Sequence, residues 1–273
     1  TRSRLRLRSE VSVDLVLSIF PGIDMLGMAF EQEGFCVVRG PDVLWGGDIR
    51  CFHPPPGKFG GIIGGPPCPE FSPLRYLIAA HGYQSKHGNL IPEFERCVTE
   101  AQPNWFLMEE GVFAPDVDVP GDASRGFFLS PTWLGEEQSR KRRFCFGLKG
   151  EQSADLRRYI DYAVFEPLVA QPAVTHHADP YPVAIRGSGK PKIREALVLT
   201  NGEPTVYENG RITKGPARTL AEMCRLQGLP EDFLSGGDVP FTLTGKRMVI
   251  GNGVPLSMGR SLATAVLRAV EAS

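Results

Sequence analysis

The sequence predicts an α/β protein built on a nucleotide-binding type of sheet, and three observations support this. Residues 11–20 form an apolar, β-branched run that ends abruptly at Pro21-Gly22. Residues 24–33 then space their apolar side chains as one face of a helix, and residues 35–38 form a second apolar run. Further short buried strands are predicted at 62–63, 105–108 and 144–148. A strand-turn-helix-strand opening followed by more such units is typical of nucleotide-binding α/β domains.

The rest of the chain divides into regions of different residue composition. A helix is predicted at 93–101, before the strand at 105–108. Between residues 150 and 217, prolines, glycines and basic residues replace the alternating units, and only short β-like pieces occur, at 196–200 and 205–207. Helical patterns return at 220–226 and 261–271. The change of composition predicts a domain boundary near residue 150 and a return to the first domain near residue 218.

Composition excludes several classes of protein. The chain has 273 residues, 42% of them hydrophobic, and a net charge of -1. It has no apolar run of the roughly 18 residues that cross a bilayer, and the arginine-rich residues 1–10 lack the pattern of a secretory signal. Its six cysteines are scattered without zinc-site spacing, which predicts a reduced, intracellular, metal-free protein.

Charge is unevenly distributed along this nearly neutral chain. Basic residues crowd into 140–149 and 182–218, whereas 109–122 carries five acidic residues and no basic one. Such asymmetry favours a local nucleic-acid-binding face. Chance clustering on a solvated surface explains the same charges equally well.

Cys68 is the first candidate for chemistry. A short apolar strand runs into the rigid turn 64–69, which presents the cysteine at the strand's end, where ligands bind in open α/β sheets. A thiolate there is a candidate nucleophile, and a buried structural cysteine is the alternative. Glu109 likewise follows a predicted strand and could act as an acid or hydrogen-bond donor, or simply be a surface acid.

Gln138, Arg140 and Arg142 form a third pattern. Alternate residues of an extended segment share a face, so these three side chains are expected to point the same way, towards phosphates and bases. A basic, solvated strand edge is the alternative.

Taken in order, these features resemble the DNA cytosine-5 methyltransferase family over nearly the whole chain. Phe20-Pro21-Gly22 resembles the cofactor loop, Gly47-Asp48-Ile49 the acid that meets the adenine amino group, and Pro67-Cys68 the catalytic turn. Glu109 resembles the catalytic Glu, and residues 138–142 match the Gln-x-Arg-x-Arg signature. Residues 218–228 resemble the helix after the recognition region, and 251–255 the late motif beside the cofactor.

The resemblance implies a Rossmann-like, S-adenosyl-L-methionine-dependent methyltransferase core with a small target-recognition insert. It implies a catalytic domain at 11–149, an insert at 150–217 and a C-terminal return at 218–273, with 1–10 as a basic arm. The implied catalytic residues are Cys68, Glu109, Arg140 and Arg142. The implied cofactor residues are Phe20, Pro21, Gly22, Ile23, Asp24, Asp42, Asp48, Ile49, Pro66, Asn252 and Val254. The implied DNA contacts are Ser72, Gln138, Arg140, Arg143, Arg186, Lys190 and Lys192.

The implied reaction is methylation at C5 of a cytosine extruded from double-stranded DNA, through a covalent bond between Cys68 and C6. A monomer in the cytoplasm or nucleoid of a bacterial host is expected, and the compact build suggests a phage-borne, divergent member. Alternatives are an RNA cytosine-5 methyltransferase, a degenerate DNA-binding relative, and an enzyme with a modified donor.

Four departures from the family's pattern motivate those alternatives. Asp24 replaces the second glycine of the cofactor loop, where its charge could repel the donor's carboxylate or the turn could be redrawn. The expected ribose-binding acid has no clear match, and Asp42 is the nearest candidate, with Arg39 close by. Pro69 replaces an amide residue, and Glu110 places a second carboxylate beside Glu109, which is expected to raise the pKa of the pair.

Overall fold

The computed structural model describes most of the predicted catalytic core. It describes residues 15–67, 71, 88–150, 155–165, 167, 170–174, 218–236 and 239–273, and only the backbone at 172, 198–200, 203–205, 207–208 and 211–212. The predicted arm at 1–10 and the catalytic turn from Cys68 to Glu70 lie outside these residues.

The described strands and helices alternate over the first half of the chain. The strands are β1 Leu15–Ile19, β2 Cys36–Arg39, β3 Gly61–Gly64, β4 Trp105–Glu110, β5 Asp122–Leu129, β6 Gln138–Ser139, β7 Arg142–Lys149, β8 Gln171–Pro172, β9 Val198–Thr200, β10 Glu203–Thr205, β11 Tyr207–Glu208 and β12 Arg211–Ile212. The helices are α1 Met25–Gln32, α2 Ile91–Ala101, α3 Leu220–Leu226, α4 Leu243–Asn252 and α5 Leu256–Glu271. The predicted α/β class is confirmed.

Six strands form one mixed sheet in the order β2-β1-β3-β4-β7-β5. The first four strands are parallel, and β7 runs antiparallel to both β4 and β5. The chain passes from β1 to β2 on one side and then to β3 on the other. A reversal of this kind opens a crevice at the carboxyl ends of the two strands, which is where open α/β sheets bind ligands.

Helices cover both faces of the sheet because its strands are apolar on both sides. Val16, Ile63 and Leu107 belong to a core cluster on one face that includes residues of α1 and α5. Leu17 and Ile62 belong to the cluster on the other face, which includes residues of α2. Successive strand residues therefore alternate between two hydrophobic layers, as expected for a sheet buried on both sides.

The C-terminal segment packs back onto the beginning of the domain. A third cluster joins α1 to α3, α4 and the start of α5, through residues such as Met25, Met223 and Ile250. Helices α1 and α5 approach closely at Gly259, where a side-chain carbon would lie 2.5 Å from Cβ of Ala29. The residues from 218 onward thus complete the core that begins at β1.

The predicted elements agree with the structure except at a few boundaries. Helix 220–226 is confirmed, whereas α5 begins at Leu256 and not at residue 261. Strand β4 continues through Glu110, so Glu109 lies within a strand and does not follow its end. Strand β5 and helix α4 were not predicted. Among the helices of the described residues, none is long and apolar enough to span a membrane.

Candidate active site

A pocket that is open to solvent lies at the crevice between β1 and β3. It is lined by Ser18, Ile19, Phe20, Pro21, Asp24, Met25, Leu26, Gly64, Gly65, Glu109, Asn252, Gly253 and Val254. Segments that are distant in sequence, the turn after β1 and the end of α4, therefore meet at one site.

The turn after β1 has an unusual backbone. Phe20, Gly22 and Asp24 adopt the left-handed conformation, with φ of 54°, 57° and 59°. Non-glycine residues adopt this region rarely, and aspartate does so more readily than most. Asp24 therefore meets the conformational demand at a position where the related pattern has glycine.

The Asp24 carboxylate is held by three donors from its own chain. Its Oδ1 accepts hydrogen bonds from Ser18 Oγ at 2.7 Å and from the Gly27 amide at 3.1 Å. Its Oδ2 forms an ion pair with Arg39 Nε at 2.8 Å. Burial raises the pKa of Asp24 above its usual range, against the opposing effects of Ser18 and Arg39. Asp24 therefore caps α1 and shapes this turn, while its expected effect on the donor's carboxylate remains a prediction.

Asp42 and Asp48 serve local turns in the structure. Asp42 accepts from the Leu44 amide at 2.7 Å and from the Gly22 amide at 2.9 Å, and so ties the residues after β2 to the cofactor loop. Trp45 Nε1 donates to the Gly22 carbonyl at 2.7 Å. Asp48 accepts from the Arg50 amide at 3.0 Å. The cofactor roles of Asp42, Asp48, Ile49, Ile23 and Pro66 remain predictions.

Glu109 and Arg142 meet at the far side of the pocket. Glu109 Oε1 lies 3.0 Å from Arg142 Nε, and the two side chains are 13% and 27% exposed. A side-chain carbon at Gly65 would lie 3.0 Å from Glu109 Oε2, so the backbone after β3 passes close to this carboxylate. In the sequence, Gly65 precedes the predicted nucleophile Cys68 by three residues.

Glu110 has a different environment from its neighbour because alternate strand residues face opposite sides of the sheet. It is 4% exposed, and its Oε2 accepts from the Gly111 amide at 2.7 Å. Its Oε1 is buried and has no hydrogen-bond partner among the described residues. Burial raises the pKa of Glu110 to about 8, and the charge of Glu109 adds to the effect. The rise at Glu110 thus comes chiefly from burial, and the neighbouring carboxylate makes a smaller contribution.

Gln138 and Arg140 point the same way, as expected, but they point into the protein and not towards solvent. Gln138 and Arg140 are each 2% exposed. Gln138 accepts from the Val174 amide at 3.0 Å, and Arg140 donates to the Val174 carbonyl at 2.5 Å. Both side chains turn inward because they hold the segment around Val174, so this geometry gives no support to their predicted DNA contacts.

Gln227 connects these residues to the pocket. It is fully buried, accepts from Gln138 Nε2 at 2.9 Å, and donates to the carbonyls of Ile250 at 2.6 Å and Gly253 at 3.1 Å. Gln227 was not among the predicted site residues, although it lies in the motif at 218–228. Ser18 was also missed, and its signal was a polar residue inside the apolar run of β1.

Arg140 is a buried cation. Burial lowers its pKa well below the usual value, and the nearby Arg142 adds to this effect. Arg143 points elsewhere and pairs with Asp116 at 2.6 Å above the ring of Phe128. The predicted roles of Cys68, Ser72, Arg186, Lys190 and Lys192 fall on residues outside the described part of the chain. No cluster of potential metal ligands occurs among the described residues.

Comparison with known proteins agrees with this site. Residues 47–111 match the profile described as C-5 cytosine-specific DNA methylase. This stretch is similar to that methylase family. It contains Asp48, Cys68 and Glu109, and so the family resemblance drawn from the sequence motifs is confirmed.

Two curated proteins are similar in sequence. The type II methyltransferase M.HgiDI of Herpetosiphon aurantiacus is 25% identical over 243 residues, covering 75% of this chain and 72% of its own. The type II methyltransferase M.NgoPII of Neisseria gonorrhoeae is 30% identical over 112 residues, covering 34% of this chain and 32% of its own.

Two solved structures share the fold. A DNA modification methyltransferase described as encoded within a prophage (E. coli) aligns with a TM-score of 0.57 at 16% identity, covering 94% of this chain and 99% of that one. The S. pombe Dnmt2 methyltransferase aligns with a TM-score of 0.54 at 13% identity, covering 95% and 98%. The predicted Rossmann-like methyltransferase fold is confirmed.

Proposed function

We propose that the protein is a DNA cytosine-5 methyltransferase that uses S-adenosyl-L-methionine. The observation that carries the proposal is that Phe20, Asn252, Val254 and Glu109 all line the same pocket. These residues come from three motifs of the family, and only the fold brings them together. The match of residues 47–111 to the C-5 cytosine-specific DNA methylase model supports DNA as the substrate.

The charges of the pocket's side chains are complementary to those of the proposed cofactor. The ionisable residues that line it are the acids Asp24 and Glu109, which suit a cationic sulfonium. Phe20, Pro21 and Val254 supply apolar surface, and Asn252 supplies an amide. Bound S-adenosyl-L-methionine supplies an electrophilic methyl group for C5 of the ring.

The chain's own residues account for the rest of the reaction. The Cys68 thiolate adds to C6 of an extruded cytosine and makes C5 electron-rich. Glu109 hydrogen-bonds N3 and the exocyclic amine, which stabilises the charge that develops on the ring. Arg142, 3.0 Å from Glu109, orients that carboxylate and holds the base. After methylation, loss of the C5 proton expels the Cys68 sulfur.

Further details of the proposal follow the family resemblance. Residues 150–217 would form the target-recognition region, and Arg143, Ser72 and the basic residues 186–192 would contact double-stranded DNA. We expect a monomer that acts in the cytoplasm of a bacterial host, in restriction-modification or as part of a phage genome.

The test is transfer of labelled methyl groups from S-adenosyl-L-methionine to unmethylated duplex DNA. We expect label in cytosine C5, and loss of at least about 10³-fold in rate for Cys68→Ser because the covalent step is removed. Cys51→Ser, at an exposed cysteine, is the matched control. Transfer to tRNA in preference to duplex DNA would instead identify an RNA enzyme. DNA binding without transfer would identify a degenerate relative.

A further inference from the structure

The pocket has a one-sided distribution of charge. Two carboxylates line it, and none of the lining residues is a lysine or arginine. Arg142 partly neutralises Glu109 at one end. At the other end the Asp24 carboxylate has its cationic partner, Arg39, outside the lining. A bound anion would therefore meet carboxylates, and a bound cation would be attracted by both.

Asp24 is also the N-cap residue of α1. Helix N-termini attract anions because their first amide groups lack partners within the helix. Here the Gly27 amide donates to Asp24 itself at 3.1 Å. The carboxylate lies so close to Gly27 that any side-chain carbon there would overlap it. The chain's own carboxylate thus fills the place where a ligand carboxylate could otherwise bind.

The ion pair with Arg39 and the hydrogen bond from Ser18 fix this arrangement. Ser18 Oγ donates at 2.7 Å, and the Asp24 side chain is only 2% exposed. Arg39 also pairs with Glu31 at 2.9 Å, on the exposed side of α1. These contacts hold the Asp24 carboxylate in place beside the pocket.

We propose that Asp24 is a specificity-determining residue that makes the pocket select its ligand by cationic groups and not by a carboxylate. The proposal rests on the proposed function and concerns the amino-acid end of the donor. S-adenosyl-L-methionine carries a sulfonium, an ammonium and a carboxylate. The first two would be favoured beside Asp24, and the carboxylate would contribute little to affinity.

The experiment measures the Kd of three probes by isothermal titration calorimetry. The probes are S-adenosyl-L-methionine, its decarboxylated analogue, which keeps the sulfonium and ammonium, and S-adenosyl-L-homocysteine, which lacks the sulfonium. We expect the wild-type protein to bind the decarboxylated analogue at least as tightly as S-adenosyl-L-methionine, and to bind S-adenosyl-L-homocysteine most weakly.

Asp24→Asn removes the charge but keeps an oxygen that can accept from Gly27. We expect the variant to shift its preference towards S-adenosyl-L-methionine over the decarboxylated analogue by about tenfold, because repulsion of the carboxylate is removed. Glu31→Gln is the matched control, since it alters an exposed partner of Arg39 outside the pocket and should leave the preference unchanged. Thermal unfolding verifies that each variant is folded.

Two results would overturn the inference. One is wild-type protein that binds S-adenosyl-L-methionine about tenfold more tightly than the decarboxylated analogue. The other is a folded Asp24→Asn protein with the wild-type preference. If none of the three probes binds the wild-type protein, the proposed function fails with the inference, and the methyl-transfer assay will be negative as well.

Discussion

The two ends of the pocket each carry a carboxylate paired with an arginine, and the two pairs differ in accessibility. At the β1 end, Asp24 is 2% exposed, accepts from Ser18 and Gly27 through Oδ1, and forms an ion pair with Arg39 through Oδ2. At the β4 end, Glu109 is 13% exposed, pairs with Arg142 through Oε1, and turns Oε2 towards the bare backbone of Gly65. The first carboxylate is buried and bound by groups of its own chain. The second is more accessible from solvent.

The largest expected effect tests the reactive end. Under the proposed function, Glu109→Gln should lower the methyl-transfer rate by about 10²–10⁴-fold, because an acid that acts on the ring is removed. Labelled methyl transfer to duplex DNA measures it. Glu110→Gln is the matched control at the adjacent residue, on the opposite face of β4. Equal losses in the two variants would contradict the difference drawn between these carboxylates.

The contact between Asp24 and Gly27 is tested by a substitution that disturbs its packing. Gly27→Ala should lower the free energy of unfolding by about 1–3 kcal/mol, because the new methyl group overlaps the Asp24 carboxylate and has to displace it. Urea unfolding measures the loss. Gly245→Ala in α4, where the nearest atoms lie at 3.4 Å, is the matched control and should not be destabilised to the same degree. A stable Gly27→Ala protein would show that the Asp24 contact is dispensable.

A smaller, pH-dependent effect concerns Glu110. Its pKa is raised to about 8 in the folded protein, from about 4.3 in the unfolded chain. The folded state therefore retains a proton that the unfolded state loses, and wild-type stability should fall as pH rises from about 4.3 to about 8. Glu110→Gln should remove this loss and gain about 1–3 kcal/mol relative to wild type at pH 9.

The check is urea unfolding of wild type and Glu110→Gln at pH 5.5 and pH 9. The difference in free energy between the two proteins should be larger at pH 9. A constant difference would mean that Glu110 titrates near its ordinary pKa, and that the carboxylate beside Glu109 is better solvated than its burial implies.

Local pattern was sufficient to predict most of the sheet. The apolar runs of β1, β3, β4 and β7 are buried on both faces, and such runs are legible without knowledge of their neighbours. Strand β5 was not predicted because only its last residues are buried, so its pattern of apolar residues is weak. Helix α4 was not predicted because few of its residues are buried.

Part of the candidate site was predictable from sequence motifs. Glu109 and Asn252 were identified by resemblance, and the structure places both in one pocket. The positions of Gln138 and Arg140 were misjudged, since the sequence marks them as polar but does not reveal that Val174 lies beside them. A buried partner from another segment decides whether a polar side chain faces solvent or the core.

The sequence by itself determined the α/β class, the resemblance to a family and the carboxylates that carry the proposed chemistry, because these depend on residue type and local periodicity. Only the tertiary structure decided what each carboxylate does. Asp24 accepts hydrogen bonds from Ser18 and Gly27 and forms an ion pair with Arg39. Glu110 is buried on the opposite face of the sheet from Glu109. The reason is physical: solvation and charge partners set the state of a carboxylate, and both come from segments that meet only in the folded chain.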